Sequence, residues 1–106
     1  MSDWVNVGKK EDFESGKAML VEIEGAPIAV YRLNDGFHAI EDICTHDGGE
    51  LASGCVEGEE VICPRHGARF SIRTGEALTA PAYEPVYKFP TRVEAGVVQV
   101  RDDRWD

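Results

Sequence analysis

Two short segments carry the residue types able to hold a metal: Cys44-Thr45-His46 and Cys63-Pro64-Arg65-His66. Each sets one soft thiolate beside one imidazole, and residues 47–62 lie between them. Cys44 and His46 flank a single residue, so their side chains can splay around one loop tip. Cys63 and His66 can do the same from a second loop. Pro64 stiffens that loop, and Gly48, Gly49 and Gly67 let the backbone turn closely around sulfur. Backbone N–H groups in such turns can point at sulfide or thiolate and stabilise negative charge. A structural zinc site accepts the same ligand types. Its familiar spacings, however, pair cysteine with cysteine and histidine with histidine across a longer stretch, whereas each motif here is mixed. A disulfide between Cys44 and Cys63 would leave both histidines unexplained.

The two motifs resemble the Rieske pattern Cys-x-His … Cys-x-x-His, and the chain as a whole resembles the small Rieske-type ferredoxin of bacterial aromatic-ring, non-haem iron oxygenase systems. The likeness continues through His66-Gly67-Ala68-Arg69-Phe70, through Gly75 and the proline-bearing loop at Pro81, and into the opening Trp4-Val5-Asn6-Val7. It implies one [2Fe–2S] cluster per chain, with Cys44 and Cys63 on one iron and His46 and His66 on the other. Two ferric ions, two sulfides and two thiolates then sum to zero charge. An added electron costs less there than on a dianionic four-thiolate cluster, which places Rieske centres at roughly −150 to +300 mV against about −400 mV for plant-type ferredoxins. Two departures matter. Rieske proteins of cytochrome complexes carry an extra cysteine in each loop, where this chain has Gly49 and Arg65. They also offer serine and tyrosine hydroxyls to the sulfurs, where this chain has Ala68 and Phe70. Fewer hydrogen bonds to sulfur imply a potential near the lower end of the Rieske range.

The remaining composition fits a small acidic carrier. One hundred and six residues make one domain, 1–106, with a modest core. Eleven basic and twenty acidic residues give a formal charge of −9, which disfavours nucleic acid and anionic membrane surfaces and could steer the protein toward basic patches on redox partners. The start Met1-Ser2-Asp3-Trp4 lacks a basic stretch followed by an apolar one, and no apolar run approaches the roughly 20 residues of a membrane span. With three cysteines, two of them assigned, a reducing cytoplasm is expected, with a monomeric chain and no membrane anchor.

Short alternating segments punctuated by turns imply an all-β fold: a Rieske-like antiparallel sandwich or barrel base with a small cluster-binding subdomain of two loops, about residues 42–82. Strands are predicted over 19–24, 27–33, 37–41, around Val61-Ile62, over 68–72, and as a closing hairpin of 89–93 with 97–101. A single helical turn is predicted within 9–14. Asn34-Asp35-Gly36 and Thr74-Gly75 read as turns.

Other residues read more plainly. Cys55 is expected to pack as a small apolar side chain, and His38 to be a surface or strand-paired histidine. Asp42, Asp47 and Glu50 are expected to form a solvated acidic rim, with tuning of the potential or guidance of a partner as the alternative. Trp4 and Trp105 are expected to pack the chain ends. No nucleotide, nicotinamide or flavin motif is present. The resemblance therefore implies an electron carrier and not an enzyme, fed by a flavin-containing ferredoxin reductase and discharging into a terminal oxygenase. A small subunit of a nitrite-reductase-like enzyme and a redox protein associated with iron–sulfur assembly are the alternatives.

Overall fold

Alternation along one strand sets the plan of the molecule. The computed structural model describes residues 3–45, 48–80 and 82–104. Among these, the strands are β1 (Val5–Lys9), β2 (Met19–Ile23), β3 (Ala26–Leu33), β4 (Gly36–Glu41), β5 (Val56–Glu57), β6 (Glu60–Ile62), β7 (Arg69–Ser71), β8 (Lys88–Phe89), β9 (Thr91–Glu94) and β10 (Val97–Val100). Successive side chains of a strand point to opposite faces. In β3, Ile28 and Val30 enter one core with Ile23, Ala39, Phe89, Val98 and Val100. Ala29 and Tyr31 enter another, with Ile40, Leu51, Val61, Phe70 and both Cys44 and Cys63. β4 repeats the division, Ala39 to the first core and Ile40 to the second. The sheet β2-β3-β4-β8 is thus a wall shared by two cores, which is why β3 reads as an almost unbroken apolar run.

Two smaller sheets close the cores. The sheet β1-β10-β9 covers the first, through Val98 and Val100. The sheet β5-β6-β7 and the loops around it cover the second, through Val61 and Phe70. All pairings are antiparallel, and the only helical element among the described residues is a 3-10 turn at Lys10–Asp12. The fold is therefore all-β, as expected, and that turn lies within the stretch predicted to form one.

Three details differ from the sequence reading. The predicted strand over 89–93 is two strands in two sheets: β8 pairs with β4, β9 pairs with β10, and Pro90 stands between them. Proline has no N–H to give a ladder, so the chain changes sheets there. Val5–Lys9 is a strand although only Val5 and Val7 mark its inner face, and its register slips between Asn6 and Gly8. The two-residue strand β5 is too short to carry a periodic signal.

Candidate metal centre

The two cysteine loops are the same turn built twice. The Cys44 N–H donates to Gly49 O at 2.6 Å, and the Gly48 N–H donates to Cys44 O at 2.7 Å. The Cys63 N–H donates to Ala68 O at 2.7 Å, and the Gly67 N–H donates to Cys63 O at 3.0 Å. In both, the residue four after the cysteine is a left-handed glycine, φ +76° at Gly48 and +75° at Gly67, where a Cβ would be strained. A third copy follows at once. The Ser71 N–H donates to Glu76 O at 2.9 Å, and the Gly75 N–H donates to Ser71 O at 2.7 Å. Cysteine or serine followed four residues later by glycine is the sequence pattern common to all three.

Both loops hold sulfur inward, and the second presents His66 at an exposed tip. Cys44 and Cys63 are each 1 % exposed and share one core with Leu51, Ala68 and Phe70. No disulfide joins them. Pro64, Arg65, His66 and Gly67 form the exposed tip of the second loop. The structure brings Cys44, Cys63 and this tip to one end of the fold; His46 lies outside the described residues, as do Asp47, Pro81 and Trp105.

A strap covers the cysteine core. Ala82 and Val86 are buried in it, while Tyr83 between them is 83 % exposed. The strap is tied at two points. The Thr45 hydroxyl donates to Glu84 O at 2.7 Å, and the Val86 N–H donates to Gly75 O at 2.9 Å. Sequence reasoning missed Thr45 because a hydroxyl reaching across 39 residues leaves no local pattern.

Behind the first loop, Asp42 is buried and its Oδ1 accepts the Leu51 and Ala52 N–H groups at 2.7 and 2.8 Å. This corrects the expectation of a solvated rim: two backbone donors replace the water that burial removes. Glu50 is exposed, as a rim residue should be. Cys55 is also exposed, against the expectation that it packs inside. Its carbonyl accepts the Ile62 N–H at 2.9 Å, so its backbone is fixed at the sheet edge while its thiol points outward.

His38 takes no part in the site. It sits opposite Tyr31 on β4, with Nε2 2.9 Å from Asp35 Oδ1 and Nδ1 3.2 Å from Lys88 Nζ. That cluster continues through Arg73, whose guanidinium donates to Asp35 and to Glu59. The hydrogen bond from His38, with help from Arg73, holds the Asp35 carboxyl below its ordinary range. Arg73 does the same to Glu59. The third turn is thereby tied to the β3–β4 turn.

The donor chemistry suits an iron–sulfur cluster. Two unlinked thiols face one buried core, an imidazole stands at the exposed tip, and the Tyr31 hydroxyl in the same core is a buried donor with no protein acceptor among the described residues. The Rieske [2Fe-2S] domain model matches residues 3–90. Ferredoxin CarAc of Metapseudomonas resinovorans is 36 % identical over 102 residues, covering 95 % of each chain. The ferredoxin component of the naphthalene 1,2-dioxygenase system of Pseudomonas putida is 32 % identical over 91 residues, covering 86 % of this chain and 88 % of its own. A chain in the solved complex of reduced oxygenase and oxidized ferredoxin of carbazole 1,9a-dioxygenase superposes with a TM-score of 0.87 at 38 % identity, over 92 % of this chain and 91 % of that one. With matched cysteine turns, a sealed sulfur core and relatives along nearly its whole length, the chain belongs to the Rieske [2Fe-2S] domain family, and its cofactor is one [2Fe–2S] cluster.

Proposed function

We propose that Cys44 and Cys63 bind one iron and His46 and His66 the other, and that the chain carries single electrons from a flavin-containing ferredoxin reductase to a terminal non-haem iron oxygenase. The observation that carries this reading is the pair of turns with matching backbone hydrogen bonds that bury Cys44 and Cys63 in one core, with His66 at an exposed tip. When bound, the cluster accepts and returns one electron within the Rieske range of roughly −150 to +300 mV. The chain's own residues do the rest. Leu51, Ala68 and Phe70 keep water from the sulfurs, so their charge is felt in a low-dielectric surround. His66, on the exposed tip, gives the shortest path to a partner. The strap of Ala82–Val86, tied by Thr45 and Gly75, keeps the two loops in fixed relation.

In this reading residues 1–106 act as one domain, with residues 42–82 as its cluster-binding part, and a single copy working in the cytoplasm. The chain does no chemistry on an organic substrate. Relatives named as ferredoxin components of dioxygenase systems, and a solved complex of such a ferredoxin with its oxygenase, support the partner assignment. Among the described residues no helix is long and apolar enough to cross a membrane.

The test is direct. Purified protein reduced with dithionite should give the low-temperature paramagnetic resonance signal of a mixed nitrogen–sulfur two-iron centre. It should then restore turnover of an aromatic-ring oxygenase with its reductase. Colourless protein holding zinc would reject the ligand assignment; a Rieske signal without oxygenase turnover would reject the partner.

A further inference from the structure

Behind the first cluster loop lies a buried polar pair that the four proposed ligands do not use. Asp42 is 7 % exposed. Its N–H donates to Pro27 O at 2.8 Å, and its Oδ1 accepts Leu51 N–H at 2.7 Å and Ala52 N–H at 2.8 Å. The chain leaves Asp42, passes Cys44 two residues later, turns at Gly48-Gly49 and returns through Leu51 and Ala52. One carboxylate therefore cinches both legs of the loop that carries Cys44. Tyr31, 1 % exposed, lies in the same core as Cys44 and Cys63, and its hydroxyl has no hydrogen-bond partner among the described residues. Burial first and Asp42 second push the Tyr31 phenol above its usual range, and the Leu51 amide that Asp42 accepts belongs to a residue buried in that core. A charge there is screened far less by water and salt than one on the surface.

We propose that Asp42 is a positioning residue for Cys44 whose negative charge also holds the reduction potential of the cluster down. The proposal rests on the reading of Cys44, His46, Cys63 and His66 as ligands. Its sign follows from Coulomb's law. Reduction adds negative charge to the centre, and a fixed anion nearby disfavours that step. Removing the charge while keeping the acceptor must raise the potential. Glu50 is the internal control, since it is an acid of the same loop but stands exposed to solvent.

Voltammetry on the cluster-loaded protein compares wild type with Asp42→Asn, Asp42→Ser and Glu50→Gln, visible and paramagnetic resonance spectra establishing the bound cluster in each. Asparagine and serine both offer an oxygen to the Leu51 and Ala52 amides without the charge. The expected result is a potential more positive than wild type in both, by more than in Glu50→Gln. A potential at or below wild type in either neutral variant that retains the cluster overturns the tuning, as does loss of the cluster from both. Asp42→Ala removes acceptor and charge together, so it should release iron faster than Asp42→Asn; equal rates overturn the positioning role. A wild-type protein without a reduced two-iron signal would instead sink the ligand assignment, and this proposal with it.

Discussion

Gly54→Ala is the most incisive perturbation of the site that substitutes none of the proposed ligands. A Cβ at Gly54 would lie 1.9 Å from Ile62 O and 3.1 Å from both Ile62 C and Leu51 O. A carbon and a carbonyl oxygen settle about 3.3–3.6 Å apart even when they attract, so the Ile62 carbonyl would have to retreat by roughly 1.5 Å. It cannot do so alone. The Ile62 N–H is held by Cys55 O at 2.9 Å, Ile62 pairs with Arg69, and the next residue is Cys63. Gly54 is not left-handed, so alanine would fit its backbone and, through the unfolded chain alone, stabilise by about 0.4–1 kcal/mol. Overpacking a rigid site costs about 1–3 kcal/mol. The steric term wins, leaving a net loss of about 1–2 kcal/mol and a fall in Tm of roughly 4–15 °C for a chain of this size. Calorimetry on the cluster-loaded protein measures the fall, and iron analysis measures the displaced Cys63. A Gly54→Ala protein that melts at or above wild type with a full complement of iron would refute the claim that the close approach of residues 51–55 to β6 places Cys63.

Three further outcomes follow from other parts of the site. Ala68 and Phe70 are fully buried beside the cysteines, so Ala68→Ser with Phe70→Tyr should supply sulfur with hydrogen-bond donors and raise the potential; voltammetry showing no change or a fall would count against it. Thr45→Val removes the tie to Glu84 O, a bond whose loss costs about 0.5–1.5 kcal/mol, and should speed both proteolysis of the strap and iron release; rates equal to wild type would separate the strap from cluster retention. Asp35 and Glu59 titrate below their ordinary values in the folded chain, so their contribution is fully present above the usual carboxylate range and is lost as the pH falls through the depressed values, below about pH 4. Arg73→Leu, which removes their common partner, should therefore flatten the acid limb of the melting temperature against pH, and an unchanged limb would refute the linkage.

The sequence was most legible where function or periodicity is local. Cysteine and histidine one or two residues apart announce a metal loop because both donors must reach the same centre from one turn. The apolar run of β3 announces a strand because every position meets a core. What a metal loop needs behind it is not local. Asp42 reads as one of several acids until the fold brings the Leu51 and Ala52 amides to its carboxylate. Thr45 finds its acceptor at Glu84 only when the strap is laid across the loop. Pro90 lacks a donor in any fold, but that it divides two sheets depends on which strands stand beside it. Cys55 is small and apolar enough for a core, yet the turn that brings Gly54 against Ile62 leaves its side chain on the outside.

The third turn braces the two cysteine loops, which no disulfide joins. Cys44, Cys63 and Ser71 each open the same six-residue unit, closed by one N–H to the carbonyl five residues on and locked by a glycine four residues on. In the first two copies the opening side chain is a buried thiol. In the third it is Ser71, whose Oγ accepts the Thr74 N–H at 3.1 Å and so braces its own turn. Gly75 then does for the strap what Gly54 does for β6: a Cβ there would lie 2.4 Å from Val86 O, while its carbonyl accepts the Val86 N–H. Each close approach of bare backbone fixes one wall of the sulfur core, and Arg73 anchors the third turn to Asp35 across the shared sheet. None of these backbone hydrogen bonds uses a proposed iron-binding atom. Without the cluster the two cysteine turns should therefore keep their hydrogen bonds, and amide exchange at Gly48, Gly67 and Gly75 should remain slow in the iron-free chain.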